Sequence, residues 1–311
     1  MDNQEFTFRV HKPKKDWAYF KKNYAGIVYC IPVILGILLF TVVPLVASFV
    51  FSLGEYNTQR LTNQYTFLGL KNYIDMFTTY GKETWHSLRL TFRYALITVP
   101  ISLVGSYLLA LFLNQKLKGM KVIQVVFYAS CLIPAIASTL LWKDILRENG
   151  GFINLMMIKL GLPTFTFYDK VETVWPTIIF CLLWGFPGGM TMWLAQLQSI
   201  PQELYESARI DGASKFRQLF KITIPMSTPM IFYQLLVSMI GSLQVFGGYY
   251  ALRNGVNDSE IDFFVVKIFI NFESQKLSYA CALSWVLFLI IGVLTVIVFK
   301  TSKWVYYGEE K

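Results

Sequence analysis

Charge is what this sequence has least of, and it is missing in blocks. Only 15% of the 311 residues are Asp, Glu, Lys or Arg, where a soluble domain carries about a quarter. Six windows contain none of the four: residues 25–53, 94–115, 122–142, 173–202, 222–252 and 277–299. A helix needs about 20 apolar residues to cross the hydrocarbon core of a bilayer, and every window reaches that length. Backbone polar groups cannot stay unpaired in lipid, so each window is expected to be helical. A soluble helical protein has no need of six such blocks. The expected fold is therefore all-α: a polytopic membrane protein with six transmembrane helices, at about 25–53, 92–115, 122–143, 174–198, 228–252 and 277–299. A cytoplasmic basic arm (1–24) and a cytoplasmic tail (300–311) flank them.

Other absences narrow the chemistry. The only histidines, His11 and His86, stand far apart, which leaves no metal site to build. Cys30, Cys131, Cys181 and Cys281 all fall inside uncharged windows and read as small buried apolar residues, not as a disulfide framework. No G-x-x-x-x-G-K-[ST] loop occurs to cradle a nucleotide phosphate, so energy for any work has to come from a partner. An ion-coupled secondary transporter would carry acids or arginines within its spans; Arg93 and Lys143 lie only at the ends. A membrane-embedded enzyme would need a His/Asp/Glu constellation, and none is present. The chain is thus expected to have no catalytic residue and to bind no cofactor.

The charge that is present is arranged by side. The arm, residues 114–121, the loop 198–229 and the tail hold sixteen Lys and Arg, against ten in the longer segments 54–91, 144–173 and 251–277. Positive charge marks the cytoplasmic side, which places both termini and the 198–229 loop there, with 54–91, 144–173 and 251–277 outside. The net charge of +9 is explained by these membrane boundaries and implies no nucleic acid partner. The first window is about twice as long as a signal-peptide core and lacks a small-residue cleavage site, so it is expected to stay as a span. Outside, residues 151–163 place Phe152, Leu155, Met156, Ile158 and Leu160 at helical spacing. They predict either a short interfacial helix or a packed connecting loop. Pro32, Pro44, Pro100, Pro134, Pro176 and Pro187 are expected to kink or end spans.

The cytoplasmic loop 199–225 has the pattern of two short helices and a turn. Ser199 and Gln202 have capping-box spacing, with Pro201 tolerated in the first turn. Asp211 and Gly212 mark the turn, since glycine accepts a positive φ. Phe216, Leu219, Phe220 and Thr223 then repeat at i, i+3, i+4, i+7, while Lys215, Arg217 and Lys221 fall on other faces. Such a stripe fits a groove on another protein, or else the membrane surface.

The same loop resembles the EAA loop of binding-protein-dependent ABC permeases, whose pattern is E-A-A-x-x-x-G followed by I-x-L-P. Glu206, Ser207 and Ala208 match E-A-A, Gly212 the glycine, and Ile222-Thr223-Ile224-Pro225 the ending, with Ser207 and Ile224 as mild departures. The stretches FLGLKNY, LNQKLKGMKVIQVVFY, IPAIASTLLWKDI, GFINLMMIKLGLP and GSLQVFGGYYAL are similar to the carbohydrate-uptake branch that includes maltose and glycerol-3-phosphate permeases. The resemblance implies a type I ABC importer permease fold. It also implies a second homologous permease, an extracellular solute-binding protein, and a dimeric cytoplasmic ATPase that holds ATP and Mg. ATPase coupling would fall to Glu203, Glu206, Ser207, Ala208, Asp211, Gly212, Ala213, Phe216, Phe220 and Pro225. Glu206 would bond within the ATPase cleft, or else pair locally with Arg209.

Polar and small residues inside the spans mark either a solute path or close helix packing. They are Trp184, Gly185, Gly188 and Gly189 in the fourth window, and Gln234, Ser238, Gly241 and Ser242 in the fifth. By the resemblance, Trp184 would stack on a sugar ring, and Ser238, Ser242 and Gln234 would bond its hydroxyls. An oligosaccharide or other sugar is the expected solute. Glycerol-3-phosphate or another polyol is the alternative, and an ATPase-independent secondary transporter the alternative of a different class.

Overall fold

The computed structural model describes residues 29–57, 64–115 and 117–305. The basic arm 1–24 and residues 306–311 of the tail lie outside the described residues. Four helical segments are long and apolar enough to span: Tyr29–Ser52, Gly81–Leu113, Thr228–Leu252 and Leu277–Trp304. Two bent pairs complete the set, Met120–Ser130 with Ala135–Ile145 and Val171–Gly185 with Pro187–Ser199. Counting each pair as one span gives six crossings, as the uncharged windows predict.

Helix α1 (Tyr29–Ser52) packs on the chain only toward its C-terminal end, and none of its most apolar stretch is buried. A π turn at Leu38–Val42 precedes Pro44. Proline brings no N–H and crowds the carbonyl four residues back, and the wider turn accommodates both. A two-stranded antiparallel hairpin follows, β1 (Gly54–Asn57) with β2 (Gln64–Phe67), Gly54 opposite Phe67. An all-α expectation has no place for it, and four-residue polar strands show no alternation to read. Asn72, in α2 (Lys71–Phe77), anchors the hairpin by donating from Nδ2 to the carbonyls of Ser52 and Gly54 at 2.9 and 2.7 Å.

Helix α3 (Gly81–Leu113) is the spine of the bundle. Its 33 residues rise about 50 Å, well beyond a hydrocarbon core of about 30 Å, so the charged stretch before Tyr94 projects past the uncharged window. The third window departs from a single helix. Helix α4 (Met120–Ser130) closes with Cys131 and Leu132 N–H bonding three residues back, and α5 (Ala135–Ile145) leaves at 93°. Pro134 accounts for the break: it donates nothing to the ladder and disfavours a helical Ile133. The short helix expected outside is present as α6 (Phe152–Lys159). Its buried Asn154 ties the adjoining loops, donating from Nδ2 to Arg147, Glu148 and Phe165 carbonyls and accepting from Phe165 N–H.

The fourth window also breaks. Helix α7 (Val171–Leu182) passes through a 3₁₀ turn, Leu183–Gly185, into α8 (Pro187–Ser199) with a 42° bend at Pro187. Beyond it lie α9 (Gln202–Ile210), α10 (Lys215–Gln218), a π turn at Leu219–Thr223 and the short turn Ile224–Met226. The chain then returns through α11 (Thr228–Leu243) and α12 (Gly247–Leu252). Helices α13 (Asp258–Ile261) and α14 (Phe264–Glu273) lead to the last span, α15 (Leu277–Lys300).

Three buried clusters hold these elements. At the end that carries the α9–α10 hairpin, Leu113, Met120, Met190, Trp193 and Ile200 join α3, α4 and α8. Trp193 donates to Ser106 Oγ at 3.0 Å, which keeps a buried indole N–H paired where lipid and side chains offer no water. Toward the other end, Tyr94, Trp175, Leu252 and Phe263 form a second core, and Met76, Leu88, Phe264 and Leu283 a third.

Candidate functional site

The α9–α10 hairpin is closed almost wholly by local bonds. Ala213 N–H donates to Ala208 O at 2.8 Å and Gly212 N–H to Arg209 O at 3.0 Å. Together they make a Schellman cap, which needs a left-handed residue at its turn. Gly212 supplies it with φ 74°, after Asp211 at the end of α9. Ser207 Oγ donates to Glu203 O at 2.9 Å, a local back-bond that lets serine occupy an alanine position. Ser214 caps α10 by accepting from Arg217 N–H at 3.3 Å. The expected capping box at Ser199 is not formed. Ser199 Oγ instead donates back to Gln196 O at 2.8 Å, and α9 starts after Pro201 without a side-chain cap.

The predicted stripe of four residues divides in two. The Phe216 and Phe220 rings meet at a tilt with centres 4.7 Å apart and are 73% and 51% exposed, whereas Thr223 is buried and shares a hydrogen bond with Tyr205 Oη at 2.9 Å. The π turn causes this, because its extra residue per turn swings Thr223 off the line drawn by Phe216 and Phe220. Ile210 adds a third exposed apolar side chain. Glu206 is exposed and forms no ion pair among the described residues, so the local pair with Arg209 is not made. Two anchors escaped sequence reasoning. Gln218 is buried and donates to Ala213 O at 2.9 Å, and Gln196 donates to Met226 O at 3.0 Å. A lone glutamine on a polar loop gives no signal of burial. Pro225 sits in the turn that starts the next span.

A chamber of about 620 Å³ opens where α4 breaks from α5. Five rings wall it: Tyr94, Trp142, Tyr168, Trp184 and Tyr249, with Ser130, Ser138 and Thr139 between them. Trp142 meets Trp184 edge-on at 5.9 Å, and its buried Nε1 has no acceptor among the described residues. Gly185 and Gly188 also line the chamber. A second concavity of about 260 Å³ adjoins it through the shared Tyr94 and Leu182, and is lined by Thr98, Ser102, Ser238, Gly241 and Ser242. A methyl group at 185, 188 or 241 would meet nothing within 4 Å, so these glycines do not serve close packing within the chain. Gln234 stands apart: it is buried and reaches toward Gly189 O at 3.4 Å, an α8–α11 contact outside both concavities. Among the described residues no charged side chain lines either space.

The chamber is braced from a distance. Gly248 of α12 faces α5 so closely that an added Cβ would lie 2.3 Å from Thr139 Oγ1. Tyr249 donates to Tyr94 Oη at 3.2 Å. The 253–258 loop is pinned beneath Tyr168, with buried Asn257 donating to the Tyr168 and Leu252 carbonyls at 3.2 and 3.0 Å. Arg253 bonds Asp258 at 2.6 Å and holds its carboxyl below the usual range, while burial pushes the Tyr168 phenol up.

Comparison with known proteins bears on the family and the fold. Residues 88–306 match the family described as binding-protein-dependent transport system inner membrane component. A probable ABC transporter permease protein of Bacillus subtilis, YesP, is 33% identical over 96% of this chain and 97% of its own length. The trehalose/maltose transport system permease protein MalF of Thermococcus litoralis is 26% identical over 89% and 93%. The arabinooligosaccharides transport system permease protein AraP of Bacillus subtilis is 29% identical over 91% and 90%. Among solved structures, a bacterial ABC transporter involved in the import of the acidic polysaccharide alginate superposes with TM-score 0.82. It is 20% identical, and the match covers 93% of this chain and 99% of that one. The fold is accordingly the all-α, multi-pass type I ABC importer permease fold, and the chain belongs to the binding-protein-dependent transport system inner membrane component family.

Proposed function

We propose that this chain is one half of the membrane pathway of an ATP-driven sugar importer, with an oligosaccharide as the solute. The observation that carries the choice is the chamber: aromatic faces, hydroxyl groups, one unpaired indole N–H and no charge. Sugar rings present C–H faces that rest on aromatic side chains, and hydroxyls that seek paired donors and acceptors. A phosphorylated solute would call for a cation that neither concavity offers. The names of relatives that carry trehalose and maltose or arabinooligosaccharides support the same class.

Trp184 and Trp142 would hold the ring, Ser238 and Ser242 the hydroxyls beyond Tyr94, and Gly185, Gly188 and Gly241 would leave room. A second, homologous permease would face this open side and complete the path. An extracellular binding protein would deliver the solute to the end that bears the β1–β2 hairpin. Both termini and the α9–α10 hairpin would lie in the cytoplasm. There the exposed Ile210, Phe216 and Phe220 would enter a cleft of the dimeric ATPase, which binds ATP and Mg and does the hydrolysis. Glu206, free of any local ion pair, would meet a donor in that cleft. Glu203, Ser207, Ala208, Asp211 and Ala213 would shape the contact, and Pro225 would link it to α11.

Oligosaccharide uptake by membranes holding the full complex tests the reading, with Glu206→Ala and Trp184→Ala compared. Uptake and solute-stimulated ATP hydrolysis should fall together in the first variant, and uptake alone in the second. Undiminished uptake in both would sink the assignment.

A further inference from the structure

Hydroxyl groups recur along one face of α3. Tyr94, Thr98, Ser102 and Ser106 follow one another every four residues, the spacing that keeps side chains on one helix face. The first three line the smaller concavity of about 260 Å³. A serine or threonine inside a helix can satisfy its hydroxyl on a carbonyl three or four residues back. Thr98 Oγ1 donates in this way to Tyr94 O at 2.8 Å, and Ser106 Oγ to Leu103 O at 3.2 Å while accepting from Trp193. On α11, Ser242 Oγ donates to Met239 O at 2.9 Å. Ser102 and Ser238 differ. Neither side chain has a hydrogen-bond partner among the described residues, yet they come from two helices, α3 and α11, and border one space.

A hydroxyl held away from bulk water is unfavourable without a partner, so two on the rim of one space call for a polar occupant. Val99 and Leu182 are the concavity's only apolar side chains among the described residues, and a methyl group at Gly241 would meet nothing within 4 Å. The chamber, at about 620 Å³, lies within the range of a small-molecule site, about 300–1,000 Å³. The concavity falls just below that range and suits a single ring. Tyr94 and Leu182 border both spaces, so an occupant of one adjoins the other. Tyr94 is held there by Tyr249 Oη at 3.2 Å and by the Phe263 ring at 5.1 Å. We propose that the concavity is a second sugar subsite, in which Ser102 and Ser238 bond the hydroxyls of one ring while the next ring rests in the chamber. The solute is then a chain of at least two sugar units, and Ser102 is a specificity-determining contact on a third helix, beside those that carry Trp184 and Ser238. The inference rests on the sugar reading of the chamber.

Thiol labelling of the full complex in membranes, with its binding protein and ATP present, tests this. One chain keeps Cys131, which lines the chamber, and has its other three cysteines changed to alanine. A second carries Ser102→Cys with all four native cysteines changed to alanine. Both are treated with a small water-soluble methanethiosulfonate, alone and with glucose, maltose, maltotriose, arabinobiose or arabinotriose. Both positions should react in the absence of sugar, and at least one of the di- or trisaccharides should slow the reaction at both. Ser102→Ala, made with the native cysteines in place, is an independent arm. It should weaken the apparent affinity for that sugar by up to about tenfold, the scale of one neutral hydrogen bond. Protection of Cys131 with none at position 102 overturns the subsite and leaves the sugar reading intact, since water alone would then fill the concavity. No protection at either position overturns the sugar reading and the subsite with it. An unreactive position 102 in the sugar-free complex, or an unchanged affinity in Ser102→Ala, overturns the subsite alone.

Discussion

In the α9–α10 hairpin the chain closes on its own near neighbours, while in the chamber it closes on residues far away in sequence. The bonds of the Schellman cap join residues within five positions of one another, and Tyr205 reaches Thr223 across eighteen. The chamber's braces join Tyr249 to Tyr94 and Lys143 to Ala251, across 155 and 108 positions. Local closure follows from residue type: a glycine that accepts φ 74°, a serine that caps, a proline that ends a ladder. Distant closure depends on where whole helices come to rest, and so on surface shape that no single residue announces. The hairpin's shape is accordingly set by its own residues, and the chamber's by how several helices pack.

The largest expected effect breaks the distant half. Gly248→Val puts a branched side chain where even a Cβ meets Thr139 Oγ1 at 2.3 Å. Overpacking costs about 1–3 kcal/mol, and here α5 and α12 have to part, so uptake should be abolished and the thermal midpoint of the purified complex lowered. Thr139→Ala in the same chain should recover part of both by opening the contact. Next comes the local half. Gly212→Val forces a branched residue into the left-handed region at a cost of roughly 1–2 kcal/mol. Uptake should drop about tenfold, since about 1.4 kcal/mol is a factor of ten, while Gly212→Asn should retain most of it. If the valine variant transports normally, the hairpin's geometry is not what matters.

A smaller effect separates the chamber from its supports. Trp142→Phe keeps a ring but removes the unpaired Nε1 donor, and one neutral hydrogen bond is worth about 0.5–1.5 kcal/mol. The apparent affinity for a hydroxyl-rich solute should weaken by up to about tenfold. Gln234→Leu, outside both concavities, should change stability without changing which solutes compete. Competition assays with a panel of sugars would show whether that division holds. The smallest effect is on acidity. The Asp258 carboxyl is held low by Arg253, so its contribution is complete above the unfolded value and is lost as pH falls through the folded one. Unfolding measured below about pH 4 should therefore be more acid-sensitive in the wild type than in Asp258→Asn.

The same contrast decides what could be read from sequence. Six crossings were legible because lipid imposes one rule on every residue, and the windows obey it. The turn at Gly212 was legible because a φ of 74° nearly names its residue. The 93° break at Pro134 was legible as a place but not as an angle, since proline removes a bond without saying where the next helix goes. Trp184, Gly185 and Gly188 were found as intramembrane oddities. Tyr94, Trp142, Tyr168 and Tyr249 were not, because an aromatic residue in a span is ordinary until the opposing wall is known. Gln234 was read from its spacing as either a solute contact or a packing residue, and in this structure it makes a helix contact. The stripe beyond Phe220 was misjudged because periodicity assumes an unbroken α-helix, and the π turn at Leu219–Thr223 changes the phase.

Under the proposed function that hairpin would also be a mechanical component. Gln218 ties α10 to Ala213, Tyr205 ties α9 to Thr223, and Gln196 of α8 grips Met226 ahead of α11. The π turn Leu219–Thr223 and the short turn Ile224–Met226 lie between Phe216 and α11. Under the proposed function a displacement applied at Phe216 and Phe220 would reach α8 and α11 together. Those helices carry Gly188 in the wall of the chamber and Ser238 in the wall of the adjoining concavity, so under the proposed function one push at the surface would change the spacing of both.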